Sequence, residues 1–112
     1  MIRRSDTAVV ERNRVWRATF ATEPYETAWA SEAIFFIRTL KVNGTPTAAS
    51  ARVQISPDGI RWCDEGTSAP LPTQVEEITF VRVENFGGWL RLAGELPASL
   101  ELCVLVTLAL KE

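Results

Sequence analysis

Within ten positions, the stretch SPDGIRWCDE (56–65) gathers a hydroxyl, a thiol, three carboxylates and an indole. Three kinds of chemistry could use them. A cation loop needs oxygens at alternating positions. Asp58, Asp64 and Glu65 lack that spacing, and Asp64 and Glu65, adjacent on a strand, point to opposite faces. A nucleophile such as Ser56 needs a base, and the chain has no histidine. Ser5 and Ser31 lack one equally, and Lys41 and Lys111 are the only lysines. The missing imidazole also removes the commonest zinc ligand and the central member of a hydrolytic triad. The sequence therefore predicts no catalytic residue, no metal site and no cofactor, and so a protein that is not an enzyme. The third kind of chemistry is recognition. Trp29, Trp62 and Trp89 could supply flat rings for the C–H faces of a sugar, which keeps a carbohydrate-binding or adhesive module open as an alternative.

The same stretch has a simpler reading as a turn. Serine at its first position can bond the turn backbone, and proline presets φ at the second. Asp58 tolerates the third position, and Gly59 accepts the positive φ that follows. Ser56, Pro57, Asp58 and Gly59 are thus expected to join residues 49–56 to residues 60–65 as an antiparallel hairpin. Trp62 then either covers the end of a core or stands out as a binding platform.

The elements around this turn read as strands. Alternation runs through 14–21, 33–42, 49–56, 60–66, 76–85, 88–95 and 100–110, with Gly, Pro, Asn and Ser/Thr clusters between. The two prolines of 67–74 predict a surface loop there. The fold class is all-β: an antiparallel two-sheet β-sandwich, jelly-roll or Ig-like, of seven or eight strands. At 112 residues the chain is expected to form a single domain, 1–112, with 1–13 as an extended arm. Arg3, Arg4, Arg12, Arg14 and Arg17 make that end basic, suited to solvent or a subunit contact.

Totals exclude several classes. With 12 basic and 14 acidic residues the balance argues against a nucleic-acid or anionic-membrane surface. No apolar run approaches the ~20 residues of a membrane helix. The first residues, MIRRSDTAVVERNR, lack a signal-peptide core, so synthesis in the cytoplasm is expected. In a reducing compartment Cys63 and Cys103 read as small buried apolar residues.

The last strand carries the most information about partners. Leu100, Leu102, Val104, Val106, Leu108 and Leu110 share one face, and Cys103, Leu105 and Ala109 the other, so both faces are apolar. Ile34 and Phe36 against Phe35 and Ile37 repeat the pattern. A two-layer sandwich covers one face of each sheet. A homo-oligomer is therefore expected, with Leu100, Leu102, Val104, Leu105, Val106 and Leu108, or residues 33–37, in the contact.

Residues 42–67, VNGTPTAASARVQISPDGIRWCDEGT, together with the strands that follow, resemble a family of small virion-associated proteins of tailed phages and prophages. Gly44-Thr45-Pro46, Ser56, Asp58-Gly59, Trp62, Arg91 and Gly94 fall at matching places, and the resemblance spans roughly residues 30–110. It implies a non-catalytic β-sandwich of the capsid exterior or tail, found in the virion among other virion proteins.

Overall fold

In the computed structural model, which describes residues 4–112, the alternating runs form strands. Nine are present among the described residues: β1 (Ser5–Trp16), β2 (Thr19–Ala21), β3 (Tyr25–Glu26), β4 (Glu32–Gly44), β5 (Ser50–Ser56), β6 (Cys63–Pro70), β7 (Ile78–Glu84), β8 (Trp89–Glu95) and β9 (Leu100–Lys111). One sheet has the order β1-β9-β4-β7; the other has β2-β8-β5-β6, with β3 also on β8. All pairings are antiparallel. The molecule is an all-β, two-sheet sandwich, and among the described residues no helix is long and apolar enough to cross a membrane.

The strand count exceeds the expected seven or eight because the early chain is more finely divided than its alternation suggests. Residues 14–21 do not form one strand. Ala18 sits at φ 48°, a conformation that interrupts an extended chain, and there the backbone leaves the first sheet and enters the second. Trp16 and Phe20 nonetheless share the core, stacked at 4.0 Å between centroids. β2 and β3 line the same side of β8 (Phe20↔Gly94, Tyr25↔Leu90), and Thr22 bridges them. Its N–H donates to the Leu92 carbonyl, and its hydroxyl accepts the Leu92 N–H.

Two other expectations change. Residues 67–70 belong to β6, not to a loop: Ser68, Ala69 and Pro70 pair with Arg52, Ala51 and Ser50. β6 is an edge strand and Pro70 its last residue, so the missing N–H interrupts no central ladder. The described part of the expected arm is no arm either. From Ser5 onward it is β1, hydrogen-bonded along β9 in a register from Ser5↔Lys111 to Trp16↔Leu102. Residues 1–3 lie outside the described part of the chain.

The core lies between the sheets. β9 supplies Leu100, Leu102, Val104, Val106, Leu108 and Leu110, each at most 1% exposed. Phe35 and Ile37 of β4, Val81 and Val83 of β7, and Leu90 and Leu92 of β8 pack with them. A bulge between Thr39 and Lys41 switches the inward parity of β4, so that Val42, opposite Leu102, packs against the core. Thr39 is fully buried there, its hydroxyl donating to the Pro72 carbonyl at 2.6 Å.

Candidate interaction surface

Because β9 and β4 are central strands of one sheet, the side chains alternating with their core residues must emerge on the outer face of that sheet. The register assembles them in rows. One row crosses all four strands as Val9, Thr107, Phe36 and Phe80; the next reads Thr7, Ala109, Ile34 and Arg82. A third carries Leu105, Arg38 and Ile78. Large apolar groups stand in solvent here: Val9 is 45% exposed, Phe80 51% and Ile78 57%. Phe36 and Phe80 approach at 6.3 Å between ring centroids.

The face is framed by charge. The Arg82 guanidinium lies 5.2 Å from the Phe80 ring centroid, and Arg38 pairs with Glu76. Beyond the bulge of β4 the surface runs into a cleft of about 420 Å³, lined by Val15, Leu40, Val42, Val75, Leu102 and Cys103, with Lys41, Asn43 and Glu101.

This arrangement revises the expected contact residues. Leu100, Leu102, Val104, Val106 and Leu108 are buried in the chain's own core, because the second sheet covers their face. Of the six candidates on β9, Leu105 is the one that faces outward, half-buried. Within 33–37, Ile34 and Phe36 face outward, while Ala33, Phe35 and Ile37 are core. Val9, Ile78 and Phe80 were not singled out. A signal existed in ITFVRVE, where apolar residues occupy positions of both parities (78, 80, 81 and 83).

The outer face of the other sheet is chemically opposite. Arg52 binds Glu95 through two hydrogen bonds, of 2.8 and 3.1 Å, and lies 3.5 Å from Asp64. Gln54 donates to Asp64 and accepts from Arg91 at 2.7 Å. The bonds from Arg52 hold the Glu95 carboxyl below its ordinary range, and partial burial lowers Arg91. Arg91 lies over the Trp62 ring at 4.3 Å from its centroid. Trp62 is therefore a half-buried member of a polar surface and lies outside the core cluster.

The hairpin forms as its turn chemistry requires. β5 and β6 pair antiparallel, Ile55 opposite Cys63, and Gly59 has φ 78°. The Ser56 hydroxyl accepts the N–H groups of Asp58 and Gly59, at 3.2 and 2.8 Å. Asp58 Oδ1 accepts those of Ile60 and Arg61, at 2.8 and 2.9 Å. The loop between the strands runs from Pro57 to Trp62, longer than a minimal turn, because Asp58 winds two further residues around its carboxylate. The amides of Arg61 and Ile60 are the main cause that holds Asp58 down at about 2. Gly59 touches Trp89: a Cβ there would sit 3.1 Å from the indole.

The three candidate platform tryptophans do not assemble. Among the described residues the close aromatic pairs are Trp16–Phe20 and Phe36–Phe80, neither of which joins two of them. Trp29 lies under Arg4 at 3.9 Å, Trp62 under Arg91, and Trp89 against Gly59. Cys63 and Cys103 are free thiols; Cys63 is exposed, contrary to its reading as a buried apolar residue, and Cys103 is half-buried on the outer face. The acids near the turn have partners of their own, and no three Cys, Asp or Glu side chains converge among the described residues.

No protein-family model matches the chain, and no curated protein matches it significantly. Among solved structures, the crystal structure of SPBc2 prophage-derived protein YomS is similar to it. The TM-score is 0.56 and the identity 10%, over 100% of this chain and 96% of that one. At that identity the likeness is one of fold: a sandwich of this size and strand arrangement occurs in a protein of prophage origin.

Proposed function

We propose that this protein is a non-catalytic assembly component of a phage-like particle, a decoration or tail protein that acts by self-association. The observation that carries the reading is the outer face of the β1-β9-β4-β7 sheet. Val9 on β1 and Ile78 and Phe80 on β7 stand about half exposed along the two flanks of this face, an arrangement that solvent alone would leave costly. Burying a fully exposed side chain of this kind is worth roughly 1.5–3 kcal/mol and a half-exposed one about half as much, so the cluster together stands to gain a few kcal/mol, a sizeable fraction of the stability of a small domain. Faces of this kind mark protein contacts. The fold likeness to a prophage-derived protein and the motif resemblance along residues 42–67 supply the phage context. The absence of histidine accords with a role that needs shape rather than proton transfer. Mass spectrometry of particles released from the cells that encode the protein tests this. Its presence in fixed proportion to the shell or tail proteins is expected; particles that consistently lack it would contradict the reading.

A further inference from the structure

We infer that the apolar outer face is built to receive a second copy of itself, with the two-fold axis parallel to the strands and lying between β9 and β4. This rests on the self-association proposed above and specifies its geometry. The first support is the distribution of side-chain size. In the two rows that cross all four strands, the β4/β7 half carries the bulky groups Ile34, Phe36, Phe80 and Arg82, whereas the β1/β9 half carries Thr7, Val9, Thr107 and Ala109; the third row, with Leu105 beside Arg38 and Ile78, is bulky on both halves. In those two rows half the face projects and half is low.

A two-fold axis along the strands keeps each row at its own level and exchanges the halves, so that β7 lies over β1 of the second copy and β4 over β9. Phe80 then meets Val9 of the second copy, Phe36 meets Thr107 and Ile34 meets Ala109, each bulky group over a low one, twice by symmetry. An axis across the strands would set Phe80 on Phe80 and leave Val9 and Thr107 facing a gap.

The second support is charge. At the end of the face Lys111 stands beside Glu32, and Glu32 beside Glu84. The same operation puts Glu32 over Lys111 of the second copy and Lys111 over its Glu32, so opposite charges alternate. The third is size. Four strands at ~4.8 Å spacing and about eight residues of length give a footprint on the order of 500 Å² per copy, about 1,000 Å² in total, the lower limit for a specific interface and suited to a reversible one. Aligned stacking at ~10 Å would repeat the sandwich's own packing outside it.

Thiol crosslinking tests the geometry. In a background carrying Cys63→Ser and Cys103→Ala, the single variants Val9→Cys and Phe80→Cys are made separately, mixed, and left to exchange subunits. Both positions are about half exposed, so folding is preserved. A bis-maleimide matched to the ~10 Å between stacked sheets is added. The expected result is a band of twice the chain mass from the mixture and none from either variant alone. Within one chain positions 9 and 80 sit three strand spacings apart, about 14 Å, so like positions in the two copies are out of reach. Crosslinking of Phe80→Cys by itself would overturn the arrangement in favour of the crossed axis. Oligomers by light scattering with no crosslink would overturn this geometry and leave the self-association reading intact. A monomeric unmodified protein would overturn both.

Discussion

Asp58 shows how one side chain can organise a loop without being a site. Its carboxylate takes the N–H groups of Ile60 and Arg61 and pairs with the Arg61 guanidinium at 2.9 Å, while Ser56 holds the other side of the turn. These donors favour the charged form, which explains a pKa of about 2 against an ordinary 3.8. Because the folded value lies below the unfolded one, the contribution to stability is complete above pH 3.8 and is lost as pH falls through about 2. An NMR titration should show the Ile60 and Arg61 amide shifts moving with a midpoint near pH 2; a midpoint near 4 would mean that the carboxylate is unbound in solution. The roles of Ser56, Asp58 and Gly59 were legible because turn chemistry is local. That of Trp62 was not, because its place depends on Arg91, which reaches it from β8, a strand distant in sequence.

Among the elements, β9 carries the account. Its two apolar faces were plain in the sequence, but which one is core follows from the packing of β8 and β5 against it, which no local pattern states. The even-numbered residues went inside the chain, and the expectation that they form a subunit contact failed for that reason. The pairing of β1 with β9 was equally invisible: in residues 5–16 the register shifts at Val10 and at Arg12-Asn13 break the alternation that would have announced a strand. Leu102→Ala removes a fully buried side chain and should cost about 2–5 kcal/mol. Leu105→Ala deletes the same atoms from the half-buried outer position and should cost less than half as much. Urea unfolding midpoints compare them in a Phe80→Glu background, where the self-contact is removed; equal losses there would show the outer face to be as enclosed as the core within one chain.

The molecule as a whole has two outer faces of unlike chemistry on one core. The face around Arg52, Gln54, Asp64 and Arg91 satisfies its polar groups internally and needs no partner. The opposite face, centred on Phe36 and Phe80, has no comparable polar cover, and this difference is what makes a contact through one side, and not aggregation through both, the expected behaviour. Sedimentation velocity at micromolar concentration, on the unmodified protein beside Phe80→Glu, measures this most directly. The unmodified chain should sediment as a defined multiple of its 12.5 kDa mass, and Phe80→Glu as a folded species shifted strongly towards the monomer. A monomeric unmodified protein, or a multiple that Phe80→Glu leaves untouched, would contradict the claim that this face is where the protein assembles.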